Sequence, residues 1–137
     1  MHPLFPRAEV LTEHLIAAAI EVHRGLGPGL IESLYEWALV CELSLRGIKT
    51  AQQRQVRVKY KHFERDEALR FDLLADDCVL IEAKSVAEIL PVHKAQLLSY
   101  MKLLNVPVGL VVNFNAGRLT AGVARMLLPG ANRSFSG

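Results

Sequence analysis

Residues 106–114, VPVGLVVNF, form a nearly all-apolar run. Such a run is typical of a strand covered on both faces, so the sheet that holds it needs a layer on each side. The rest of the chain offers those layers. In residues 9–25, EVLTEHLIAAAIEVHRG, the positions Leu11, Leu15, Ala18, Ala19 and Val22 recur at helical spacing, and Gly25 reads as a stop. After LGPG a second helix is expected over residues 30–46, with Leu34, Trp37, Ala38, Cys41 and Leu45 as its apolar stripe and Gly47 as its end. Val56, Val58 and Tyr60 then alternate with Arg57, Lys59 and Lys61, as in a strand with one core face and one wet face. Two more strands are expected at about 69–75 and 78–85. A third helix over about 92–104 turns Leu97, Leu98, Met101 and Leu104 inward. LTAGVARMLL, residues 119–128, reads as a last strand. The order α-α-β-β-β-α-β-β predicts an α/β fold, of mixed α+β type, with a mixed central sheet flanked by helices.

A length of 137 residues favours one domain with a core of its own, expected to span residues 1–137. Hydrophobic residues at 51% and charged residues at 22% exclude a disordered chain. No apolar run reaches the roughly 20 residues that cross a bilayer, and MHPLFPRAEV lacks a secretory layout. The expectation is a cytoplasmic protein without a membrane partner. Cys41 and Cys78 have no partner at zinc spacing and are expected to be reduced, buried and inert. A net charge of +2 permits nucleic-acid binding without arguing for it.

The chemistry concentrates in FDLLADDCVLIEAKS, residues 71–85. This reads as two short apolar strands and a turn, interrupted by Asp72, Glu82 and Lys84. Side chains on a strand alternate, so Glu82 and Lys84 share one face while Val79, Ile81 and Ala83 share the other. A Glu-x-Lys alone is most simply a solvated strand end with a weak ion pair. Asp72, one strand earlier, changes that. Two adjacent carboxylates repel unless a cation bridges them, and Mg²⁺ or Mn²⁺ favours such oxygens. A nearby lysine can stabilise an anionic transition state. For Asp72 to join Glu82 on one face, it must pair with an even-numbered residue, Leu80 or Glu82, across a three-residue loop. A two-residue turn at Asp76-Asp77 would send the acids to opposite faces. An odd-numbered loop or a bulge is therefore expected.

Asp72 followed by Glu82-Ala83-Lys84 resembles the signature of the PD-(D/E)xK nuclease superfamily, the restriction-endonuclease-like fold. Its αβββαβ core is the order read from the second helix onward, here preceded by an extra N-terminal helix. GLIESLY, residues 29–35, matches the motif of the small GxxExxY family within that superfamily. HKAQLLSY is similar to the Gln-x-x-x-Tyr element of RecB-like branches. The resemblance covers roughly residues 29–113, within a core placed at about 29–128. It implies a metal-dependent nuclease acting on DNA in preference to RNA. Asp72, Glu82 and the Ala83 carbonyl would hold Mg²⁺ or Mn²⁺, and Glu32 would contribute directly or through water. Lys84 would orient the attacking water, and Gln96 would support the site from the third helix. The proline of the superfamily's name is absent, since Phe71 precedes Asp72.

Plainer readings stand beside these. Glu32 at N3 of a helix capped by Gly29 would serve helix electrostatics alone. Tyr35 and Tyr100 serve core or site equally well, and His93 reads as a solvated helix start near the site. His14, His23 and His62 lack ligand spacing, and Trp37 reads as core. Arg57, Lys59 and Lys61 are weak candidates for phosphate contact, against a solvated outer strand. The rival function is a non-catalytic nuclease-fold module that binds nucleic acid or protein, and a hydrolase of another phosphoester is a third. A homodimer is compatible with so small a domain, and no residue demonstrates it.

Overall fold

The computed structural model describes residues 1–134, and the last three residues of the expected domain lie outside the described residues. Helix α1 spans Phe5–Leu26, four residues earlier than its periodicity suggests, with a proline in its first turn where a missing amide costs nothing. Helix α2 spans Glu32–Leu45. Strands β1 (Thr50–Tyr60), β2 (Phe63–Ala75) and β3 (Val79–Lys84) follow, then α3 (Pro91–Leu104), β4 (Val108–Asn113), a 3₁₀ turn (Leu119–Gly122) and β5 (Val123–Leu127). The strands lie in the order β1-β2-β3-β4-β5. Among the described residues only the β3–β4 pair is parallel, joined through α3.

This is the layered arrangement that VPVGLVVNF demands, and all of β4 is buried. On one face, α1 and α2 pack Leu15, Ala18, Tyr35, Leu39 and Leu43 against Leu73, Val79, Ile81, Ala83, Leu110 and Val112. On the other, Leu97 and Met101 of α3 pack against Leu74, Leu80 and Val111. At Gly109 the helix comes so close that an added Cβ would stand 2.6 Å from Met101 Sδ.

Several expectations need correction. The buried stripe of α2 is Tyr35, Leu39 and Leu43, not Leu34, Trp37, Cys41 and Leu45. Trp37 is 64% exposed, Leu34 and Leu45 are exposed, and Cys41 is an exposed thiol. The helix is apolar on more than one side, so periodicity could not choose its face; Tyr35 wins because its ring stacks on Phe114 at 4.5 Å. Cys78 is buried as expected, and burial pushes its thiol up to about 11. LTAGVARMLL is not one strand, since its first four residues form the 3₁₀ turn. There Gly122 passes so close to Asn113 that a Cβ would meet its carbonyl at 2.6 Å.

Strands β1 and β2 make a longer hairpin than its charged outer half suggests, closing at Tyr60–Phe63. Those charges pair on the sheet surface, Arg57 with Glu64 and Asp66, Lys59 with Glu64, and Arg65 with Glu67. Tyr60, expected on a core face, is exposed because nothing packs over this end of the hairpin.

Candidate active site

The β2–β3 ladder pairs Ala75 with Val79, Leu74 with Leu80 and Leu73 with Ile81. The connecting loop is the odd-numbered Asp76-Asp77-Cys78, in which Asp76 and Asp77 take positive φ values of 48° and 61°. Aspartate tolerates that conformation better than most residues. The recorded pairs end at Leu73 and Ile81, and just beyond them Asp72 and Glu82 both line the cleft that Gln96 and Tyr100 of α3 close. At this step the Asp72 side chain takes over from the ladder. Its Oδ2 accepts the Ala83 amide at 2.8 Å.

A break in the neighbouring ladder accompanies this. Between Ala51↔Leu74 and Gln53↔Arg70, β1 has one intervening residue, Gln52, and β2 has three, residues 71–73. The extra residues bulge β2 at Asp72. Bulges re-aim side chains and are common beside active sites. The Gln52 amide group donates to the Asp72 carbonyl at 3.1 Å and to Glu36 Oε1 at 2.7 Å.

Glu82 and Lys84 stand side by side on β3, with Lys84 Nζ 3.5 Å from Glu82 Oε1 and both side chains largely buried. The other oxygen, Glu82 Oε2, is buried with no hydrogen-bond partner among the described residues. A buried unpaired carboxylate oxygen is costly, so this one invites a cation or a donor from outside the chain. Burial raises the Glu82 pKa above the ordinary carboxylate value; Lys84 and His93 oppose the rise and Asp72 adds to it. Burial likewise raises Asp72, against the Ala83 amide and Lys84, with Glu32 adding to the rise.

Helix α2 begins at Glu32, which is its first residue, so the N3 capping role does not apply. Glu32 Oε2 accepts the Ser85 amide at 3.0 Å, just beyond Lys84. Tyr35 is fully buried rather than aimed at the cleft. Its hydroxyl donates to the Gly27 carbonyl and accepts from the Leu30 amide, closing the loop in which Gly27 and Gly29 have positive φ. That loop sets where α2 starts, and hence where Glu32 stands. His93 Nδ1 accepts the Leu90 amide at 3.0 Å at the start of α3. Gln96 and Tyr100 line a cleft with Arg70, Phe71, Asp72 and Glu82, floored by Leu80 and Leu97.

Three residues of this neighbourhood escaped the sequence reading. Glu36 lies one turn after Glu32, where i, i+4 spacing could have suggested it. Burial and the Asp72 charge raise its pKa, while the Gln52 hydrogen bond lowers it. Gln52 gave no signal, because its role depends on the bulge. Asn113, buried at the end of β4, brackets Val86 with both ends of its amide and anchors the loop after Lys84.

Among the described residues no group of three or more His, Cys, Asp or Glu is arranged to hold a metal ion. The reason is local: Asp72 and Glu32 each give an oxygen to a backbone amide. Magnesium needs only one or two carboxylates, with waters completing its shell. The pair Asp72 and Glu82, with an unpartnered oxygen on Glu82, fits that lighter requirement.

The raised carboxyls make a testable signature. An acid whose pKa is raised on folding binds more protons folded than unfolded just above the ordinary carboxylate range, so it withdraws stability as pH rises through that window. The withdrawal is complete above the raised value and absent below the unfolded one. In metal-free protein, Glu82→Gln is expected to raise the Tm over wild type at about pH 7 and to lose that advantage towards about pH 4. An advantage independent of pH would show that the charge of Glu82 is not what strains the site.

The model of the PD-(D/E)XK nuclease superfamily matches residues 9–126. The chain belongs to that superfamily, and its five-stranded mixed sheet flanked by helices is a restriction-endonuclease-like fold. No curated protein and no solved structure matches the chain. Superfamily membership indicates a nuclease-type function with nucleic acid as substrate. No helix among the described residues is long and apolar enough to cross a membrane.

Proposed function

We propose that this protein is a metal-dependent nuclease of the GxxExxY branch that hydrolyses phosphodiester bonds, in DNA rather than RNA, as one domain in the cytoplasm. The observation that carries the reading is the buried Glu82 Oε2, without a partner among the described residues, beside Lys84 and one strand from Asp72. Asp72, Glu82 and the Ala83 carbonyl are the groups that would hold Mg²⁺ or Mn²⁺. When bound, such an ion supplies positive charge to a phosphoryl oxygen and acidifies a water. Lys84, held largely out of bulk water, orients the nucleophile and offsets charge developing on the phosphate. Glu32 fixes the backbone just after Lys84, and so the direction in which the lysine enters the site. Gln96 and Tyr100 face the substrate from α3, and His93 holds the first turn of that helix.

The phosphate contacts move from the outer hairpin to the cleft. Arg57 and Lys59 are paired with carboxylates, and Lys61 lies at the hairpin tip, 5.4 Å over the Tyr60 ring. Arg70 lines the cleft, is exposed and makes no ion pair among the described residues. Arg70→Ala is expected to raise KM several-fold and to lower the salt slope of binding by about one, with kcat little changed. The same effects from Arg57→Ala, with none from Arg70→Ala, would return the contact to the hairpin.

The test is incubation of folded protein with single- and double-stranded DNA and RNA in Mg²⁺ or Mn²⁺. Cleavage of DNA is expected, and no cleavage of any substrate would remove the enzymatic reading. The binding-module reading draws on the engagement of Asp72 and Glu32 with backbone amides. It requires substrate binding that is indifferent to metal, which calorimetry with and without Mn²⁺ decides. A homodimer would place the exposed Leu34, Trp37 and Leu45 face of α2 at its contact, and sedimentation of Trp37→Glu beside wild type tests that arrangement.

A further inference from the structure

We infer that Gln52, tethered by Glu36, is a positioning residue that holds the Asp72 carboxylate in its working orientation through the bulged backbone of β2; the inference rests on the proposed site. The bulge is what puts this demand on the chain. Three residues of β2 span a gap that β1 crosses with Gln52 alone, so the ladder skips Asp72. A carbonyl released from its ladder needs another donor or its peptide is free to rotate. Rotation of that peptide would swing the Asp72 side chain, which is held on its other side by the Ala83 amide. The Gln52 amide nitrogen supplies the donor at 3.1 Å.

One hydrogen bond from an exposed glutamine would be a loose tether. Glu36 tightens it. Its Oε1 accepts from the same nitrogen at 2.7 Å, a charge-assisted bond to a residue of helix α2. The two amide hydrogens are thus divided between two acceptors, one on the helix and one on the bulge. Gln52 does no core packing, since its side chain is exposed. The chain therefore ties α2, β1 and β2 together at Asp72, the carboxylate that β2 gives to the site. Partners that orient metal-binding side chains in this way change metal affinity by roughly 10–100-fold when removed.

The experiment compares wild type with Gln52→Ala, Glu36→Ala, Glu36→Gln and Asp72→Asn. Amide exchange of Ala83, read by NMR without metal, reports whether Asp72 still accepts that amide. Calorimetry with Mn²⁺ reports affinity, and thermal unfolding reports the fold. In Gln52→Ala, exchange at Ala83 is expected to accelerate about tenfold while Leu80 and Val111 are unchanged, with Mn²⁺ binding weakened roughly 10-fold and Tm nearly constant. Glu36→Ala should show part of this, and Glu36→Gln, which keeps an accepting oxygen, should restore most of it. Unchanged Ala83 exchange in Gln52→Ala overturns the inference, whatever the metal result. Faster exchange with undiminished Mn²⁺ affinity also overturns it, because Gln52 would then serve the strand and not the site. Failure of the nuclease reading looks different: wild type binds no Mn²⁺, or Asp72→Asn binds it as well as wild type does.

Discussion

Replacement of Glu82 by glutamine is expected to lower metal-dependent cleavage by a factor on the order of 10³ or more, with the fold intact. The substitution keeps the shape of the side chain and removes its charge. That charge is buried beside Asp72, with one oxygen paired to Lys84 and the other to no group among the described residues. A residue arranged so is poorly explained by stability, since burial and Asp72 both work against its ionised form. Loss of function with retained or raised stability is the pattern of a residue kept for chemistry. Lys84→Ala is expected to match the loss in turnover. Adding the two should cost little more than either alone, because groups that act as a unit are not additive. Cleavage at the wild-type rate by Glu82→Gln would take Glu82 out of the mechanism. A collapse of the fold in the same variant would instead assign it a structural role.

The largest effect on stability is expected at Tyr35. Tyr35→Ala removes a fully buried ring stacked on Phe114 and is expected to cost about 3–5 kcal/mol, as large aromatic truncations do. Tyr35→Phe keeps the ring but leaves the Leu30 amide and the Gly27 carbonyl without their partner, a loss of about 1–3 kcal/mol. Urea unfolding of both variants checks these values. The pair also separates two roles for this tyrosine of the GLIESLY segment. If it only fixes the loop before α2, Tyr35→Phe retains most activity once folded. If activity vanished in a Tyr35→Phe protein of wild-type stability, the hydroxyl would have to act in the chemistry.

Much of the fold was legible because its signals are local. VPVGLVVNF has no polar side, and the buried β4 follows from that alone. The alternation in Val79, Leu80, Ile81, Glu82, Ala83 and Lys84 sorted this strand into a face for α1 and α2 and a face for α3. Even the loop length between β2 and β3 could be reasoned from parity, given that the acids must share a face. Less was legible where several local solutions were equally good. Helix α2 carries apolar residues around most of its circumference, and an isolated helix has no preference among them. The outer part of β2, before residue 69, went unassigned because its charges are expensive singly and cheap only in cross-strand pairs.

By itself the sequence determined the αβββαβ order with its preceding helix, the double cover of β4, and the set of groups Asp72, Glu82 and Lys84 on one hairpin. These depend on periods of 2 and 3.6 residues, which neighbouring side chains carry without help from the rest of the chain. Only the tertiary structure decided which face of α2 meets the sheet, and with it that Glu32 reaches the Ser85 amide and Glu36 reaches Gln52. It alone placed a bulge at Asp72, set Arg70 in the cleft without an ion pair among the described residues, and paired Arg57 and Lys59 with carboxylates of the hairpin. The physical reason is that the helix face, its contacts and the bulge are relations between segments well apart in sequence, as Glu36 and Gln52 are at 16 residues. Such relations are settled by competition among packings of the whole chain, and no local pattern encodes their outcome.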